Sequence, residues 1–249
     1  MSAARSNFGQ GPPALVSAGR RPQSKGMAAH GQHLATTAGA ALLLYAARRY
    51  FRNWGTTKDE CRMPLPGDEL MRQPVSQTTE AVWIERSAGE VWPWLVQMGQ
   101  DRGGLYGYEL VENLFGLEHR NADRIHPEWQ RLQPGDSVRL TPQGWLGRRE
   151  GIKLWVAQVI DEQAIVLRAE PPDLPWEAVW SFHLMPYSGE RCRLLVRTRV
   201  ALRHPGEVVL AELASPVTAL MTRGMLRGIR RRVHNAGVAT ERPAVRRMP

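Results

Sequence analysis

The feature that most constrains this chain is a run of short β-patterned segments followed by one long apolar stripe. Between Ser137 and Leu202, the stretches 137–140, 152–160, 164–169, 178–185 and 193–202 are rich in β-branched and aromatic residues. The turn formers Asp161, Pro171 with Pro172, and Ser188 with Gly189 separate most of them at short intervals, which predicts an antiparallel meander. In the fourth segment Trp180, Phe182 and Leu184 share a face; in the fifth Leu194, Val196, Thr198 and Val200 alternate with Leu195, Arg197 and Arg199. One face is expected to be apolar and the other wet. Such a sheet needs a cover, and Val217, Met221, Met225, Ile229 and Val233, recurring every four residues, supply a helical one. Ser215 and Pro216 read as its N-cap and first residue, and Arg223, Arg227, Arg230 and Arg231 fall on another part of the wheel. Gly224 and Gly228 beside the stripe each cost about 1 kcal/mol of helix propensity, which makes sense if something approaches that backbone closely.

Upstream, TTEAVWIERS (78–87) alternates Ala81, Trp83 and Glu85 with Val82, Ile84 and Arg86 and predicts a strand. Ser87 and Glu90 then have capping-box spacing, with Trp92 to Met98 as the apolar body of a helix that Pro93 must begin near or kink. Gly103 and Gly104 break the chain. A second short helix is expected over 105–116, with Leu110, Leu114 and Leu117 at helical spacing, and the polar, proline-containing 119–136 reads as a surface excursion. The expected division is a disordered tail over 1–33, an apolar helix over 34–52, a linker or ordered loop over 53–78, one domain over 79–235, and a basic tail over 236–249.

Hydrophobic residues at 43% and charged residues at 23% of 249 are enough for a packed core, so wholesale disorder is excluded. The net charge of +9 raises the question of an anionic partner. Much of the excess is terminal, lysine occurs only at Lys25, Lys58 and Lys153, and no aromatic-plus-basic motif is present, so nucleic acid is not the expected partner. The apolar run Leu34 to Ala47 is shorter than the roughly 20 residues that span a bilayer. It admits three readings: a membrane-associated anchor with Arg48, Arg49 and Arg52 on its cytoplasmic side, a signal segment, or a soluble helix. The domain that follows is expected in the cytoplasm.

Cys61 and Cys192 lie far apart without metal-ligand spacing, so no metal site or cofactor is indicated. No nucleophile elbow, phosphate loop, zinc-protease or dinucleotide fingerprint occurs, and no catalytic residue is assigned. Asp123, His126, Glu128 and Asp136 are the nearest thing to an acid–base cluster, in a polar setting that argues for exposure.

VWPWLVQMGQDRGG at 91–104, the pattern Tyr106, Tyr108, Glu112, Asn113, NADRIHPEWQ at 121–130 with GDSVRL at 135–140, and MLRGI at 225–229 together resemble bacterial SRPBCC proteins. That superfamily is also called START-like, or polyketide cyclase/dehydrase and lipid-transport-like. The resemblance implies an α+β helix-grip fold: a curved antiparallel sheet, two short helices and a long C-terminal helix over a cavity. It further implies a small hydrophobic, lipid-like or polycyclic ligand. Gly107 and Glu109 depart from the YSYD-like stretch of relatives. The lining expected on this basis is Trp94, Tyr106, Tyr108, Asn113, Trp180, Phe182, Met221 and Met225. The alternative is a cyclase, aromatase or dehydratase using Tyr106, Tyr108 or His126 for proton transfer.

Overall fold

A computed structural model of the chain describes residues 39–40, 42–43, 45–46, 52–108, 113, 116–117, 120–169, 176–202 and 205–241. Of the apolar segment 34–52, the described positions before Arg52 are helical, with Leu42, Leu43 and Tyr45 exposed. Its reading as an anchor falls mostly outside the described residues, as do the tail 1–33, residues 242–249 of the basic tail, and most of the second short helix. Among the described residues no helix is long and apolar enough to cross a membrane.

Six strands form one antiparallel sheet: β1 (Ser76–Ile84), β2 (Ser137–Arg139), β3 (Lys153–Ile160), β4 (Ala164–Ala169), β5 (Glu177–Ser188) and β6 (Arg191–Ala201). The spatial order is β1-β6-β5-β4-β3-β2, so β2 to β6 are a meander and β1 closes against β6. Helix α1 (Lys58–Arg62) precedes β1, α2 (Ala88–Val96) follows it, and α3 (Pro205–Glu241) ends the described chain. The Ser87–Glu90 capping box starts α2, whose interior contains Pro93. Together they form a helix-grip fold.

The alternation along the strands places two rows of side chains on opposite faces. On the inner face Val82, Ile84, Leu194, Val196, Phe182, Leu184, Ile165 and Leu167 pack with Trp94 and Leu95 of α2 and with Met225, Leu226, Ile229 and Val233 of α3. The register Glu80–Val196–Phe182–Ile165 makes one cross-strand row, and Thr78–Thr198–Trp180–Leu167 makes the next.

Two sequence expectations need correction. Helix α3 begins at Pro205, not at Ser215, and runs through Pro216. The Thr218 hydroxyl shares its one hydrogen between the carbonyls of Ala214 and Ser215 at 3.3 and 3.0 Å, close to the N–H that Pro216 lacks. The second face of the sheet is also not wet. The segment 53–75 lies across it: Leu65 with Met63 covers Ala81 and Leu195, and Met71 with Leu70 covers Val166 and Val179. Gly67, at φ 91°, turns so tightly over Val166 that a Cβ would stand 2.6 Å from its Cγ1.

The strand arginines that pattern assigns to solvent become a buried polar network under this cover. Arg197, 1% exposed, donates to the Asp68 carboxylate (2.6 Å), the carbonyls of Met63 (2.9 Å) and Glu60 (2.8 Å), and the Thr79 hydroxyl (3.1 Å). Arg199 takes the other Asp68 oxygen at 2.6 Å, and Arg193 takes Glu60 at 2.8 Å. Burial works to raise the Glu60 carboxyl, but Arg193 and the Thr57 cap outweigh it and hold it below the ordinary range. The same segment blunts the free edge of β1: Asn53 Oδ1 accepts from Thr79 N–H at 2.8 Å, and the Trp54 carbonyl accepts from Ala81 N–H at 3.0 Å.

Candidate functional site

The apolar stripe of α3 is not covered evenly. Val233, Ile229 and Met225 are 2%, 0% and 3% exposed, Met221 is half-buried, and Val217 is 40% exposed. On the facing sheet β6 and Trp180 of β5 lose cover in the same direction, while Leu167, Ala169 and Ala178 stay buried on that face. Cys192, Leu194 and Val196 of β6 are buried, while Thr198 and Val200 are half-buried; on β5 Phe182 is buried and Trp180 half-buried. Since successive inner-face residues of a strand are about 7 Å apart, the change occurs within one row, between Val196 and Thr198. Helix and sheet therefore grip tightly at the Ile229 end and loosen at the Thr78–Thr198–Trp180 row.

Glu80 sits where the tight and loose regions meet. Sharing parity with Val82 and Ile84, it points at α3 and is 4% exposed. Its carboxyl contacts the Thr222 hydroxyl, with the Arg223 guanidinium beside it. Burial penalises the carboxylate and pushes its pKa up to about 7, although Thr222 and Arg223 pull it down. The Thr222 hydroxyl has one hydrogen, and that hydrogen reaches the Thr218 carbonyl at 3.0 Å. Turned to Glu80 that hydrogen favours the carboxylate, which is the pull of Thr222; kept on Thr218 it leaves the Thr222 oxygen to accept from a protonated Glu80. Arg223 is itself buried, 5.2 Å from the centre of the Trp54 ring, with Arg227 at 5.0 Å from the same ring. Sequence pattern missed this cluster. The parity of Glu80 with Val82 and Ile84, and the place of Thr222 and Arg223 beside the α3 stripe, were the available signals.

No family model and no curated protein matches the chain. Similar solved structures include a solution structure from Thermobifida fusca, with 12% identity over 64% of this chain and 93% of the other, at TM-score 0.43. A Nitrosomonas europaea protein has 12% identity over 66% and 99%, at TM-score 0.41, and a truncated norcoclaurine synthase from Thalictrum flavum has 14% over 67% and 94%, at 0.39. These are distant likenesses of shape. The site is read from this chain's own residues.

Of the expected lining, Trp94, Tyr106, Phe182 and Met225 are core and not cavity wall. Their near-zero exposure means that no space the size of a water molecule adjoins them. Trp94 meets the Tyr106 ring edge-on at 5.8 Å, and burial raises the Tyr106 hydroxyl above its ordinary value, against the pull of Gln97 and Arg232. The two tyrosines explain the helix glycines. A Cβ on Gly228 would strike the Tyr106 carbonyl, and one on Gly224 would stand 2.6 Å from the Tyr108 ring. Tyr108 is thereby held on α3, its hydroxyl accepting from Arg227 at 3.2 Å, and Asn113 is exposed. The structure leaves Trp180 and Met221 at the loosened end, with Trp180 edge-on to Phe182 at 4.6 Å.

Asp123, His126, Glu128 and Asp136 lie at or near the surface. His126 pairs with exposed Glu128 at 3.1 Å and stacks on Trp129, while Asp123 is exposed and Asp136 accepts from the Gln133 N–H. On the outer face Ser181 and His183 are 2.9 Å apart, but both are buried beneath the 53–75 segment; burial first, then Arg197, lowers His183 to about 4. Two surface clefts, of about 450 Å³ beside Ala88, Trp92 and Glu162 and about 360 Å³ beside Trp83, Arg86 and Arg230, contain none of the expected lining. Among the described residues, no group of acids, histidines and cysteines could hold a metal ion.

Proposed function

We propose that the loosened end of the grip binds a small, mainly apolar molecule between Trp180, Thr198 and Thr78 on the sheet and Met221 and Val217 on α3, with its polar end toward Glu80. The observation that carries this reading is the matched loss of cover along both faces. Burial falls along α3 and at Thr198, Val200 and Trp180, while Leu167 and Ala169 of β4 stay buried beside them, so apolar surface of two elements is left facing a shared opening. An aromatic wall, an adaptable methionine and two threonine hydroxyls give such an opening the usual mixture of a ligand site: mostly apolar contact with a few polar groups that orient. The neighbouring buried core makes the site shallow, so the ligand enters from the Val217 side and stops at the Phe182–Val196 row.

The surroundings of Tyr106, Tyr108 and His126 favour the binding reading over the enzymatic alternative in which one of them moves protons. Tyr106 is enclosed, Tyr108 is held by Arg227, and His126 pairs with Glu128 away from the opening.

Titration of the full chain with the neutral apolar dye N-phenyl-1-naphthylamine tests the reading. Saturable one-to-one enhancement is expected, weakened about tenfold or more by Val217→Asp or Trp180→Ala, in line with the ~1–3 kcal/mol carried by a few apolar contacts in a pocket. No saturable uptake, or uptake indifferent to both substitutions, would overturn it.

A further inference from the structure

The C-terminal half of α3 carries more positive charge than the domain around it uses. Between Glu212 and Glu241 the helix has no acid and five arginines, at 223, 227, 230, 231 and 232. Three of these are engaged. Arg223 and Arg227 stand 5.2 and 5.0 Å from the centre of the Trp54 ring, Arg227 also donates to the Tyr108 hydroxyl at 3.2 Å, and Arg232 donates to the Ala122 carbonyl at 2.7 Å. Arg230 and Arg231 are exposed and make no hydrogen bond, ion pair or ring contact among the described residues. Helix-end electrostatics do not account for them, since the benefit of a cation falls off within the last turn and α3 runs on to Glu241. Arg231 also stands one turn from Arg227, where like charges repel.

Both arginines line the cleft of about 360 Å³ at the tight end of the grip, together with Trp83, Ile84, Glu85, Arg86 and His234. The other charges there are already paired: Glu85 with Arg191 at 3.0 Å, and Arg86 with Glu90 at 3.5 Å. Two guanidinium charges remain uncompensated. Trp83 puts its ring on the outer face, against Arg191 at 4.2 Å, whereas Ile84 and α3 lie on the inner face, so the cleft runs along the free edge of β1. The N–H groups on that edge belong to alternate residues. Those of Thr79 and Ala81 go to Asn53 and Trp54; the next is that of Trp83, which with the carbonyl of the same residue has no partner among the described residues. We propose that this cleft binds a phosphomonoester group, on a soluble molecule or on a lipid headgroup, through Arg230, Arg231 and the Trp83 N–H. A phosphomonoester carries close to two negative charges at pH 7 and three acceptor oxygens, which match two guanidinium forks and one further donor. A phosphodiester or a carboxylate carries one charge and leaves half of the excess unmet. The cleft lies about 20 Å along β1 from the Thr78 row, so this site is separate from the apolar opening and does not depend on it.

Heteronuclear NMR titration of the full chain with methyl phosphate, dimethyl phosphate and acetate, at constant ionic strength, is the test. Methyl phosphate is expected to shift the Trp83 amide and the Arg230 and Arg231 Nε–H signals saturably, and to bind at least tenfold more tightly than the other two. Arg230→Gln combined with Arg231→Gln should weaken it at least tenfold. Arg131→Gln combined with Arg149→Gln, which removes the same charge from exposed positions elsewhere, should leave it within twofold. Vesicles of phosphatidylcholine containing phosphatidic acid separate the two sources. Binding to them that methyl phosphate competes away and the Arg230, Arg231 double variant loses supports a lipid headgroup; no vesicle binding beside retained methyl phosphate binding supports a soluble ligand. Equal weakening by the two double variants, no preference for methyl phosphate, or no saturable shift overturns the proposal and leaves the reading of the apolar opening untouched.

Discussion

Glu80→Gln should stabilise the protein, and by an amount that grows with pH. The carboxyl ionises near 4.5 in an unfolded chain and near 7 in the folded one. Below 4.5 both states hold the proton and the group contributes nothing to the pH dependence. As pH rises through 4.5 the unfolded chain ionises and the folded one does not, so the native state loses ground until about pH 7, where the penalty levels off. At ~1.4 kcal/mol per tenfold change in proton affinity the full penalty is ~3 kcal/mol. Glutamine has the same shape, can still donate to Thr222, and cannot ionise. Its advantage over the native protein should therefore be ~3 kcal/mol larger at pH 8 than at pH 4.5, or roughly 6–12 °C in melting temperature for a domain of this size. The native protein alone would hide the effect. His183, lowered from 6.5 to about 4, makes the folded state lose stability as pH falls through that window, the opposite slope to Glu80 over pH 4.5 to 6.5. Comparing variant with native protein at each pH cancels the histidine. Urea unfolding followed by tryptophan fluorescence at pH 4.5, 6 and 8 measures the difference, and a difference constant across the three would refute the burial of an acid at this position.

The other predictions concern packing. Arg197→Met should cost ~2–4 kcal/mol in urea unfolding at pH 7, because Asp68 keeps Arg199 but loses its second guanidinium, and the carbonyls of Met63 and Glu60 lose their donor under the 53–75 segment; a loss below 1 kcal/mol would show that the segment opens to water instead. Gly228→Ala should destabilise by ~1–3 kcal/mol although alanine is the better helix former, since the new methyl meets the Tyr106 carbonyl, a backbone atom that cannot swing aside. A rise in melting temperature for that variant would mean that the tyrosine segment does not rest on α3.

The chain's local periods announced much of the architecture. Alternation along 178–185 and 193–202 identified the two central strands Glu177–Ser188 and Arg191–Ala201, a four-residue repeat from Val217 to Val233 identified the covering helix, and Ser87 with Glu90 identified the start of α2. Gly224 and Gly228 even signalled a close approach, though not that Tyr108 and Tyr106 made it. Where the reading went astray, the deciding partner lay far along the chain. Arg193, Arg197 and Arg199 look like a solvent face because period two says only that they oppose Leu194 and Val196; that Glu60 and Asp68 reach across to bury them is a tertiary fact. Pro216 looks like a helix start because a proline is cheapest in the first turn, yet α3 runs from Pro205 through it. The site follows the same logic. Sequence can place Glu80 on the face of Val82 and Ile84, but whether a carboxylate there meets water or a helix depends on how closely α3 approaches. That approach is fixed at the other end of the stripe, by Ile229 and Val233 packing against the core and by the tyrosine segment seated on two glycines.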